Sequence, residues 1–130
     1  MPSFGTLKAD TLTHSTAGSL DTNFVVEGSS KAWVLYNGDT SGGATLDSFN
    51  MSSVTDSATG EFRTNFSSSM DNANYCPVGM NRTYHVNSSS SDDKTTSGEL
   101  HQTFYVSNTA GARTSHDSSR ASVSYSGDLA

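Results

Sequence analysis

Four histidines, one cysteine, an adjacent pair of aspartates and five tyrosines are the side chains of this 130-residue chain best suited to chemistry. His85 and His101 flank a long polar stretch and fall in neighbouring predicted strands, so strand pairing would bring them near each other. Solvent-facing sheet positions are the ordinary role for such histidines. A ring of histidines around a trimer axis, holding an ion, is the functional alternative, and it would need further ligands in defined geometry. Asp92–Asp93 could offer oxygens to calcium, but no EF-hand or calcium-repeat spacing surrounds them, and they read as a solvated loop tip. Cys76 is alone, which excludes an intrachain disulfide and a cysteine-rich metal site, and it reads as a small buried hydrophobe at the start of a strand. Tyr36, Tyr75, Tyr84, Tyr105 and Tyr125 could stack on sugars, although strand positions of this kind are usually claimed by a core or an interface. No G-x-S-x-G elbow, phosphate-binding loop, dinucleotide fingerprint or H-E-x-x-H is present. The expectation is therefore a protein with no catalytic centre, no cofactor and no metal.

The elements that must position these residues are strands. Lys31–Ala32–Trp33–Val34–Leu35–Tyr36–Asn37–Gly38 holds the only Trp in the longest apolar run and ends on Asn-Gly, which reads as a buried strand followed by a tight reversal. Further strands are predicted over Phe24–Glu27, Ser48–Val54, Glu61–Phe66, Asn74–Pro77, Arg82–Asn87, Leu100–Val106 and Ala121–Ser126. Phe49 and Met51 share one face of their run, Tyr84 and Val86 share another, and Ala121, Val123 and Tyr125 a third. Alternation with one polar face, in short strands separated by Ser, Thr, Asn and Gly, describes an antiparallel β-sandwich, jelly-roll-like in its strand spacing. Asp56–Gly60 is the predicted hairpin connection between two of the strands. Asn87–Gly98 has no apolar residue and is predicted to be an exposed loop, with Ser88, Asp92, Asp93 and Lys94 at its outward tip; Ser107–Arg120 is a second polar loop.

Composition supports the same class. Ser and Thr make up close to a third of the chain, hydrophobic residues 32% and charged residues 15%, a profile of β-structure with small polar residues facing water. A core this thin favours burial between identical subunits, and a homotrimer is expected. Net charge is −6 with Lys and Arg scattered, which argues against nucleic acid and against an anionic membrane surface. No apolar run is long enough for a bilayer, and Met1–Gly5 does not open a signal peptide; the four Asn-x-Ser/Thr sequons are then chance matches. Residues 1–23 carry widely spaced Phe4, Leu7, Leu12 and Leu20 without a period, and read as an extended attachment arm preceding a sandwich domain over 24–130. Trp33, Tyr36, Phe49, Phe62 and Phe66 are expected in the core or at the trimer interface.

Several segments resemble a known family. Gly5–His14 looks like the opening of small virion surface proteins of marine and cyanobacterial tailed phages, variously described as tail-fibre-like or capsid-surface proteins. Lys31–Gly38 resembles their KAWVNFNG segment, Asp47–Asp56 their DSFNVSSITD, and Thr59–Phe66 their TGDYTVNF; Met70–Tyr75 and Gly127–Ala130 are also similar. The chain departs from that pattern at Leu35–Tyr36 and in the acidic serine loop. The resemblance implies a structural role on a virion assembled in the host cytoplasm, as a short fibre or capsid decoration. The arm would dock on a capsid or tail protein, and the outward loops would be free to meet a host surface glycan. It implies no catalytic residues. A carbohydrate-binding sandwich module of lectin type is the competing class.

Overall fold

The computed structural model describes residues 9–40, 42–82, 85–89, 93–106 and 112–130. It is an antiparallel β-sandwich preceded by a small hairpin and one short helix. The hairpin pairs β1 (Thr11–His14) with β2 (Gly18–Asp21), and α1 (Thr22–Gly28) follows directly. The body comprises β3 (Ser30–Asn37), β4 (Ala44–Phe49), β5 (Met51–Ala58), β6 (Glu61–Phe66), β7 (Cys76–Asn81), β8 (His85–Ser89), β9 (Gly98–Val106), β10 (Arg113–Ser115) and β11 (Ala121–Ser126). One sheet has the order β4-β3-β11-β7. The other runs β10-β9-β6-β5, with β8 also paired to β9. β6 pairs with residues 98–102 of β9 and β10 with 104–106, while β8 spans 101–105. A strand has only two edges, so β6 and β10 must share one edge and β8 must take the other.

The chain passes from one sheet to the other at Asn50, a single residue between β4 and β5 with φ 54°. Asn tolerates this left-handed conformation better than most residues. Its side chain secures the corner by donating to the carbonyls of Lys31 and Ser68 and accepting from the Ser68 amide at 2.7 Å. The predicted strand Ser48–Val54 is therefore two strands in two sheets. Gly60 closes the β5–β6 hairpin at φ 73°, and a Cβ there would lie 2.5 Å from the Thr103 carbonyl oxygen. Gly38, predicted to make a tight reversal, instead opens a longer connection to β4; a side chain there would strike Phe62 at 2.6 Å.

The core comes from strict alternation. Ala32, Val34 and Tyr36 of β3, Val54 of β5, Phe62 and Phe66 of β6, and Ala121, Val123 and Tyr125 of β11 point between the sheets, closed by Met70 and Tyr75. Aromatic rings supply most of its volume. Phe66 lies edge-on to Tyr125 at 4.9 Å and to Tyr75 at 5.4 Å between centroids, and Tyr36 tilts against Phe62 at 4.9 Å. Tilted and edge-on pairs add to simple burial.

Two further expectations are overturned. Phe24–Glu27 is helical rather than extended: four residues of this type fit either period, and the Thr22 amide and hydroxyl, bonded to the carbonyls of Asp10 and Ala9, turn the chain out of β2. Residues 9–21, read as part of an extended arm, fold back as a hairpin, because Gly18 at φ 94° permits the reversal.

Candidate functional site

A few titratable groups lie inside the sandwich. His101 and Glu99 sit on the inward face of β9, 2% and 0% exposed, so His101 is not the solvent-facing residue expected. Its Nδ1 lies 2.7 Å from the Tyr36 hydroxyl, and its Nε2 has no partner. Burial without a counter-ion lowers its pKa to about 4. The Tyr125 hydroxyl meets Thr64 Oγ1 at 2.7 Å, and Thr64 donates to the Glu99 carbonyl. Burial, with the Glu99 charge second, pushes the Tyr36 and Tyr125 hydroxyls far above their ordinary pKa. The Asn81 amide is also buried without a partner. These groups are sealed from solvent, so the arrangement orients core side chains and gives no described route for a substrate. β8 and β9 do pair, yet His85 is opposite Tyr105 while His101 is opposite Ser89. That register offsets the two histidines by four residues along the strands. Among the described residues no cluster of His, Cys, Asp or Glu could hold a metal ion.

The N-terminal unit has the opposite character. Leu12 and Leu20 are partners across the hairpin and are 44% and 45% exposed. No residue of α1 is buried, and Phe24, Val25 and Val26 all face outward. A lone two-stranded hairpin and a seven-residue helix have little stability of their own. Val26, Phe49 and Leu129 line a cleft of about 530 Å³ where α1 meets the sandwich. Lys31, at its wall, donates to the Val26 carbonyl and to Ser29 Oγ. Phe4 and Leu7, the other two arm residues expected to attach, lie outside the described residues.

Of the residues expected in the core or at an interface, Tyr36, Phe62 and Phe66 are buried. Trp33 is half-buried and Phe49 is 55% exposed. The two are register partners on the outer face of the β4-β3-β11-β7 sheet, so neither belongs to the core. The single-residue alternation of β3 sends Ala32, Val34 and Tyr36 inward and therefore Trp33 and Leu35 outward. Cys76, expected to be buried, is exposed on that same outer face.

The outward loop is smaller than predicted. Ser88 belongs to β8. Asp93 pairs with Arg63 at 3.4 Å. Lys94 donates to the Tyr75 carbonyl at 2.6 Å and lies 4.7 Å above the Tyr75 ring. Asp92 lies outside the described residues. The second polar loop also folds back in its latter half, where Asp117 accepts from the Gly60 amide at 2.6 Å and the Ser118 carbonyl accepts from Gly38 at 2.7 Å. No single sequence signal marks these returns, because Lys94 and Asp117 bond to backbone groups far away in the chain.

No family model, curated protein or solved structure matches the chain. The class of protein defined here is an antiparallel β-sandwich preceded by a small hairpin and a short helix whose few apolar side chains are exposed. The described helices include none long and apolar enough to cross a membrane.

Proposed function

We propose that this chain is a non-enzymatic structural protein of a tailed-phage virion surface, a short fibre or capsid decoration, made in the host cytoplasm and assembled as a homotrimer. The observation that carries this reading is the β1–β2–α1 unit. Its apolar side chains stand in solvent, which is costly for a single chain and useful for one that docks on a capsid or tail protein. The sequence resemblance points the same way. The sandwich would then present its remaining loops to the host surface. Purified particles of the parent phage should contain the chain at fixed stoichiometry by mass spectrometry. The double variant Leu12→Asp with Leu20→Asp should fold with unchanged circular dichroism yet be lost from particles. A chain absent from particles refutes the virion reading; a variant that incorporates normally refutes the attachment role of the hairpin.

One observation favours a second reading. Trp33 and Phe49 lie side by side on an open sheet face, the kind of aromatic platform on which sugar rings stack. A carbohydrate-binding module would give glycan-array signals that Trp33→Ala removes, and would do so without any virion.

A further inference from the structure

The two sheets differ sharply on their outer faces. On β5 and β6 the outward positions are mostly polar and bonded to neighbours: Gln102 of β9 donates to Glu61 at 3.1 Å, Asn65 donates to Ser53 at 2.9 Å, and Arg63 pairs with Asp93. The apolar outward residues of β9 are covered, Leu100 being 8% exposed and Phe104 lying under the Arg113 guanidinium. A solvated face is built in this way. On the β4-β3-β11-β7 sheet the register sets Phe49–Trp33–Ser124–Val78 in one row and Asp47–Leu35–Ser122–Met80 in the next. Val78 is 64% and Met80 73% exposed. A line of small serines on β11 therefore runs between two apolar flanks. β3 itself is a continuous apolar run, the pattern of a strand covered on both faces, yet the described residues cover only one.

We infer that this outer face is where copies of the chain pack on one another, which deepens the homotrimer reading and rests on it. Charge selects a second copy as the occupant. Each copy carries a net charge of −6, so copies repel except across acid-poor surface. Within its strands this face has one outward carboxylate, Asp47, and its only lysine, Lys31, is turned against α1. Arg82 and Arg120 border it.

The test is the oligomeric state of the full chain by sedimentation equilibrium, read for three proteins. Wild type should be a trimer. Val78→Glu with Met80→Glu should be a monomer with unchanged circular dichroism, because both positions are exposed in the single chain. Thr55→Glu with Ser57→Glu, on the opposite face, should remain a trimer. Cys76 supplies a second readout that does not depend on the variants' solubility: its reaction with a maleimide should be at least tenfold slower in the assembled wild type than after dilution to monomer. A trimer that persists in the Val78/Met80 variant, with Cys76 freely reactive, overturns this face while leaving the homotrimer standing. A monomeric wild type at micromolar concentration overturns both.

Discussion

Acid should loosen this sandwich through His101. The imidazole is 2% exposed and its pKa falls to about 4 from an ordinary 6.5 because burial disfavours the charged ring. An unfolded chain takes up the proton as pH drops through 6.5, while the folded chain does not until about 4. The unfolded state thus binds more protons in that window, so stability is intact above pH 6.5 and declines towards pH 4. At 1.36 kcal/mol per tenfold, the gap between those two values corresponds to about 3 kcal/mol. Carboxylates titrate in the same region, so the measurement compares wild type with His101→Gln, whose amide oxygen can still accept from the Tyr36 hydroxyl. Urea unfolding at pH 7.5, 6, 5 and 4 gives the free energy of each protein, and the common carboxylate contribution cancels in the difference. Wild type should lose about 3 kcal/mol relative to the variant across the series. A difference that stays constant from pH 7.5 to 4 refutes the reasoning, and means that the ring is either accessible to water or balanced by a negative charge.

Other expectations concern single contacts. Tyr125→Phe leaves the buried Thr64 hydroxyl without the phenol 2.7 Å away and should cost about 1–3 kcal/mol in urea unfolding. Gly60→Ala places a Cβ on the Thr103 carbonyl and an L-residue at φ 73°, and should cost about 1–3 kcal/mol from the backbone conformation alone, with a matching fall in thermal midpoint. Lys94→Met removes the bond to the Tyr75 carbonyl and the cation above its ring; it should cost about 1–2 kcal/mol, whereas a merely solubilising loop lysine would show no change.

What was legible in the sequence follows from where alternation was clean. β6 and β11 were readable to the residue, because Phe62, Thr64 and Phe66, and Ala121, Val123 and Tyr125, face inward in step against polar neighbours. Ser48–Val54 misled because its own alternation runs on through a corner that a single Asn makes. β10 is Arg-Thr-Ser and wholly exposed, so no apolar pattern marks it; only its pairing with β9 makes it a strand. The interior polar groups were illegible for a related reason. Glu99, His101, Thr64 and Thr103 occupy inward positions, and a reading that sends polar side chains to water must place them outside. Their burial depends on hydrogen bonds from residues as distant in the chain as Tyr36 and Tyr125, which no local window contains.

The place of β11 in its sheet bears on when the protein can fold during synthesis. β11 lies between β3 and β7 and supplies Ala121, Val123 and Tyr125 to the core, yet it is translated after every other strand of the sandwich. Until it emerges, β3 and β7 have no common neighbour and the aromatic cluster lacks Tyr125. Joining β3 to β11 closes a loop across most of the chain, the kind of long-range pairing that folds in milliseconds to seconds rather than microseconds. Until β11 is available, the nascent chain therefore holds local hairpins but no complete sandwich. The serine line at the middle of the apolar outer face also arrives last, so a message truncated before residue 121 yields a chain with neither the completed core nor that face.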